Sequence, residues 1–473
     1  MTNTEQWLYK IAYKRDELLD SLDGLSGAAW TTGEAAPDWT AKDVLAHIAA
    51  WEVRAATHLP DLLAGRGMSM VGVEADAYNA EQVALRRSRT PRELLDELAV
   101  ARQRVLDALA GASDDDLIKP RIVPWGELTI ERWALQELYD HDAEHAAQLR
   151  TWRATTGIGR SLRDSLVDRM AAERAGLLIA CLGLDTDTLC SQPVMDDWTV
   201  KDTLAHVAAW DDAHTERSRL SLAGRESDIA SVDLDERNAA LLAERRGWSF
   251  DQALQAALDS RQRYIEVLGT ATNEQLVRPI HLPWRETSVW EFARWRAYHD
   301  RVHSRGIRAW RDATRLPFVP GPRSLLKVAM VAARDDLLRQ IDHIPIDERQ
   351  TRRIMDDWTL RDLCGHIADW DLYAFGALRA IRESRPLPVV VEQDVDRVNA
   401  QRRDARRGQT LGQTWADFEN SRTELIGALA SWDNEQLARE VDYAFDWGRT
   451  AYGWFVGQTV DHDREHADAL RRL

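Results

Sequence analysis

Residues 5–22 place Trp7, Leu8, Ile11, Leu18, Leu19 and Leu22 at helical spacings with charges between them, which predicts an amphipathic helix. A loop containing Gly, Ser and Pro follows from Asp23 to Asp38. Thr40 then reads as an N-cap, with Asp43 at the third helical position, a capping box with Asp in place of Glu. The apolar pattern carries this second helix through His47 and Trp51 to about Leu63, just before Gly65. A short helix ends near Arg89. Thr90-Pro91 marks a fresh start, and the next helix covers Glu93 to Leu109. An acidic, loop-like piece, Ser113 to Asp116, and the turn Pro124-Trp125-Gly126 lead to a last helix from about Thr129 to Trp152. No stretch reads convincingly as a strand, so no significant sheet is predicted.

The same order of elements recurs twice. Asp38-Trp39-Thr40 with Asp43, His47 and Trp51 is matched by Asp197-Trp198-Thr199 with Asp202, His206 and Trp210. Asp357-Trp358-Thr359 with Asp362, His366 and Trp370 is the third copy. The histidines lie 159 and 160 residues apart, a period that signifies duplicated domains rather than a solenoid. Helices matching Glu93–Leu109 run from Phe250 to Leu268 and from Leu411 to Leu429, and Trp284 and Trp447 match Trp125. Boundaries fall near Gly157-Ile-Gly159 and near Leu316 to Gly321. The expectation is an all-α chain of three tandem four-helix bundles, residues 1–156, 157–316 and 317–473.

Length agrees, since 473 residues suit about three domains of roughly 150 residues. The net charge of −17 argues against a nucleic-acid partner and against an anionic membrane surface. No apolar run reaches about 18 residues, so no membrane span is expected. The N-terminus has no basic region followed by an apolar run, so no secretory signal is expected. Cys181, Cys190 and Cys364 form no framework, which fits a reducing cytoplasm. A Cys181–Cys190 disulfide is the alternative.

The candidate chemistry lies in the histidines. The closing helices read His141-Asp-Ala-Glu-His145, His299-Asp-Arg-Val-His303 and His462-Asp-Arg-Glu-His466. Histidines four apart share one helix face and can bind one ion together. His47, His206 and His366 from the facing helix would complete a three-nitrogen set in each bundle, leaving a position open for water or substrate, as in catalytic zinc sites. The residues before each pair have diverged almost completely, yet the pairs persist. Nine of the 13 histidines belong to these trios. His58, His214, His281 and His343 do not recur and read as surface or loop residues. The competing reading is nine hydrogen-bonded core histidines. Burying three imidazoles together without partners would cost several kcal/mol, and a cation removes that cost. Zinc and nickel suit imidazole, whereas an iron facial triad lacks its carboxylate.

Asp142, Asp300 and Asp463 directly follow the first histidine of each pair, about 100° off the ligand face. They are either candidate catalytic residues that orient a ligand or simply solvated. Trp51, Trp210 and Trp370 lie four after the helix-two histidine and either wall a substrate pocket or pack as core. Asn79, Asn238 and Asn399, each closing an Asp-x-x-Asn run, either meet a ligand or act as local caps. Trp39, Trp198 and Trp358 read as helix-entry packing.

Trp-Thr-x-Lys/Arg-Asp followed by Ala/Gly-His, and later His-x-x-x-His on the last helix, resembles the DinB/YfiT-like superfamily over nearly the whole chain. The resemblance implies four-helix bundles with a divalent metal held by His47, His141 and His145; by His206, His299 and His303; and by His366, His462 and His466. It also implies metal-dependent transfer or isomerisation with a low-molecular-weight thiol, or neutralisation of reactive metabolites. Two functions follow as expectations. One is an enzyme in which the metal activates a thiol or water against an electrophilic small molecule. The other is a module that sequesters a small molecule or serves a stress response without catalysis.

Overall fold

A computed structural model describes residues 3–66, 74–123, 126–195, 197–355, 357–386, 394–445 and 448–471. The chain is all-α, three tandem bundles, and among the described residues its only sheets are small two-stranded hairpins. Two compact units form. One comprises Met1–Leu166 with Ala271–Pro279 and Ser288–Trp290, and the other comprises Val167–Thr270, Ile280–Thr287 and Glu291–Leu473.

In the first unit the bundle's long helices are Asn3–Leu22, Ala41–Leu63, Pro91–Ala110 and a composite closing helix that ends in His141–Thr156. The local signals operate as the sequence predicts. The Thr40 side chain accepts from Asp43 N at 3.2 Å while Asp43 accepts from Thr40 N at 3.0 Å. Thr90 and Glu93 form the same box ahead of Pro91. Gly157, at φ +68°, stops the closing helix in the left-handed conformation that glycine adopts without strain. Two apolar clusters fill the bundle: Leu18, Val44, Leu45, Leu94 and Leu149 in one, and Trp7, Ile11, Leu59, Val105 and Trp133 in the other.

The second unit holds the other two bundles. Their long helices are Leu162–Ala180, Val200–Leu222, Phe250–Gly269 and Val289–Thr314, then Arg323–Asp342, Leu360–Arg382, Leu411–Leu429 and a closing segment ending in His462–Arg471. One apolar cluster runs through both, joining Leu177, Leu204 and Ile307 to Leu325, Leu378 and Tyr452.

Three sequence expectations change. Ser113 to Asp116 is not a loop: Ser113 caps a short helix, Asp114–Ile118, with Asp116 answering it. Hairpins of three to six residues a strand, Pro120–Val123 with Gly126–Thr129 and their counterparts, precede each closing helix; the strands of three or four residues are too short for an alternating pattern to register, whereas the sequence of Glu440–Phe445 does alternate. His214 is not at the surface. It is buried, with Nδ1 3.0 Å from the Trp210 carbonyl oxygen. All three cysteines are free, two of them buried. Trp125 and Trp447 lie outside the described residues. No described helix is long and apolar enough to cross a membrane.

Candidate metal centres

The second helix and the closing helix of each bundle bring their histidines together. His47 Nε2 is 3.0 Å from His141 Nε2, and the His145 ring lies 4.7 Å from that of His141 and 5.0 Å from that of His47. His299 Nε2 is 3.0 Å from His206 Nε2 and 3.2 Å from His303 Nε2. His462 Nε2 is 2.9 Å from His366 Nε2 and 3.1 Å from His466 Nε2. In each trio the three candidate ligand atoms lie within 4.8 Å of one another, so each could hold a metal ion. Nitrogens 2.0–2.1 Å from a tetrahedral zinc are about 3.4 Å apart, close to this spacing.

Burial, together with neighbouring imidazoles, disfavours the charged form of six of these rings. Burial first, then His145, pushes His47 down to about 3. Burial first, then His303, takes His206 to about 2, and burial with His466 takes His366 to about 3. His141, His299 and His462 are lowered well below the usual imidazole value, burial again being the main cause.

Around each trio stands a frame built from all four helices. In the first bundle Arg15 donates to both oxygens of Asp142 at 3.0 and 2.9 Å and to Glu52 at 2.7 Å, while Arg102 reaches Glu52 at 2.9 Å and Asp142 at 3.0 Å. Arg174, Asp211, Arg261 and Asp300 repeat this box, as do Arg334, Asp371, Arg422 and Asp463. Asp142, Asp300 and Asp463 are at most 1 % exposed, which removes the solvated alternative for them. Burial alone would raise the Asp463 carboxyl, but Arg334 and Arg422 hold it below its ordinary value. The arginines and second acid of each box recur in register with the histidines. Arg15, Arg174 and Arg334 each stand 32 positions before the helix-two histidine, and Glu52, Asp211 and Asp371 stand five after it. That register was there to find them by.

The recurring tryptophans and asparagines are partners. Trp51 Nε1 donates to Asn79 Oδ1 at 2.8 Å, Trp210 to Asn238 at 2.8 Å and Trp370 to Asn399 at 3.0 Å. The asparagines sit inside their helices, Ala75–Arg86, Leu234–Arg245 and Val395–Ala405, so they are not caps. Trp39, Trp198 and Trp358 pack tilted or edge-on against the helix-two histidines, with centroids 4.9, 4.6 and 5.0 Å apart, and so belong to the sites.

The bundles differ in what surrounds this shared frame. A cavity of about 730 Å³ opens onto the first trio, lined among others by Trp39, Trp51, Asn79, Glu137 and Gln148. That is the size of a small-molecule site. Gln148 Oε1 lies 3.0 Å from His145 Nδ1 and fixes that nitrogen as a donor, so the lone pair of His145 is on Nε2, the arrangement typical of metal-bound histidine. Glu137 is half-buried, and burial raises its carboxyl although Arg54 pulls it back. Beside the third trio the space is about 10 Å³, with Arg402 lying over Trp370 at 4.7 Å. Six-residue π-helical turns, Leu135–Asp140 and Val456–Asp461, lead into His141 and His462. Glu137 and Gln148 have no counterpart in the other bundles, and attention to recurring residues passes them by.

A profile of the DinB superfamily matches residues 11–149, 169–307 and 329–470. No curated protein and no solved structure was found to match the chain. With most of its length matched in three successive stretches, each containing one histidine trio, the chain belongs to the DinB superfamily.

Proposed function

We propose that the protein is a metal-dependent enzyme acting on an electrophilic small molecule in the cytoplasm, with the first of its bundles, 1–156, 157–316 and 317–473, as the working site. The observation that carries this reading is the cavity of about 730 Å³ opening onto the histidine trio, in which burial disfavours the charged forms of His47 and His141. His47, His141 and His145 would hold a divalent ion, zinc or nickel by the chemistry of an all-imidazole set. Such an ion would supply Lewis acidity, lowering the pKa of a thiol or water in its open position. Gln148 holds the His145 proton on Nδ1. Trp39 and Trp51 provide apolar walls, and Asn79, engaged by the Trp51 indole, fixes one of them. Glu137, a carboxyl kept basic by burial, receives the nucleophile's proton. Asp142, locked between Arg15 and Arg102, positions the closing helix that carries both His141 and His145. Asp300 and Asp463 do the same in their bundles.

The test is a screen of low-molecular-weight thiols, and of water alone, against electrophiles on zinc- and nickel-loaded protein. The expected result is turnover abolished by chelator and by His47→Ala. Turnover that survives removal of all nine histidines would overturn the reading. Saturable binding of the electrophiles without turnover would favour the sequestering module.

A further inference from the structure

The middle trio departs from the others three residues before its first closing-helix histidine. Leu138 and Thr459 stand there in the first and third bundles, and Arg296 in the middle one. Leu138 is buried in the apolar core, and Thr459 Oγ1 donates to the Phe455 carbonyl at 2.6 Å. Arg296 is 1 % exposed, and its Nη2 donates to His299 Nδ1 at 2.9 Å. The closing helix of this bundle is unbroken α-helix over Val289–Thr314, and residues three apart on such a helix are neighbours.

A guanidinium has donors only, so Nδ1 of His299 must accept. A neutral imidazole that accepts at Nδ1 carries its proton on Nε2. In His299 that is the nitrogen aimed at His206, 3.0 Å away, and at His303, 3.2 Å away. An N–H in that place has no lone pair to offer a cation. It closes the trio as a hydrogen-bonded cluster instead. At His145 of the first bundle Gln148 imposes the opposite polarity.

Charge acts in the same direction. Arg174 and Arg261 are balanced by Asp211 and Asp300. Arg296, 3.3 Å from Asp211, adds a third guanidinium beside a box that holds only two carboxylates. A cation entering this trio would meet buried positive charge that the outer boxes do not contain.

We propose that the middle bundle is a metal-free histidine cluster and that Arg296 is the residue that closes it to cations. The contrast rests on the metal reading of the first bundle. Full-length protein is stripped with chelator, reloaded with zinc and assayed for metal per chain. The parent should hold no more than two equivalents, His206→Ala should leave the count unchanged, and a folded Arg296→Leu should gain one. Three equivalents in the parent, or one fewer in His206→Ala, overturns the proposal. So does an unchanged count in an Arg296→Leu protein whose circular dichroism and melting match the parent. If Arg296→Leu does not fold, the His206→Ala count decides. A count unmoved by His47→Ala contradicts the proposed function instead, so the two failures are told apart.

Discussion

The first and middle bundles share a frame of long helices, a capping box, a Trp–Asn hydrogen bond, a buried box of two arginines and two acids, and three converging histidines. They differ at a few unshared positions. The first has Gln148 accepting from His145, Glu137 in its lining and a cavity of about 730 Å³. The middle has Arg296 donating to His299. Recurrence therefore marks what builds a bundle, and divergence marks what a bundle does. A histidine trio alone does not fix its own chemistry. The polarity of the hydrogen bond behind each ring decides which nitrogen presents a lone pair.

The sharpest way to separate the bundles is Glu137→Gln. Turnover should fall by about 10²–10⁴-fold, the usual worth of a positioned base, with zinc content unchanged. Since burial raises the Glu137 carboxyl, its basic form is lost as pH falls through a value above the ordinary 4.3 or so. The parent's rate should drop on that acid limb and the variant's should not. A matching acid limb in both would remove Glu137 from the reaction.

Losing one acid of the frame should destabilise both bundles. Asp142→Ala leaves Arg15 and Arg102 with Glu52 as their one acid, and Asp300→Ala leaves Arg174 and Arg261 with Asp211, so each buries an unbalanced charge and should cost about 3–5 kcal/mol in denaturant unfolding of its unit. A middle bundle indifferent to Asp300→Ala would break the claim of a common frame. The smallest effect belongs to Gln148→Ala, which releases the His145 ring and should weaken zinc binding about 10–100-fold in competition with a chelating dye.

Much of the fold was legible because its signals are local. The Thr40–Asp43 box begins its helix at Ala41, and the Leu411–Leu429 helix has the limits its apolar spacing predicts. The trios were legible because duplication kept them while their surroundings changed. The boxes are buried charges contributed by four helices, so no single helix pattern announces them, although their register would have. The hairpin strands of three or four residues are too short for periodicity to reveal, although the six residues Glu440–Phe445 do alternate. Glu137, Gln148 and Arg296 occur once each, and only folding shows that Gln148 and Arg296 stand behind a ring or that Glu137 lines a cavity.

The charge boxes have a consequence for how a bundle comes apart. Arg15, Glu52, Arg102 and Asp142 come one from each of the four long helices, and every one is bonded to groups on two others. Peeling any single helix away leaves ions facing apolar walls. Partial opening is thereby penalised more than fraying at the ends, and the interior amides of all four helices should exchange with deuterium together, in one global event.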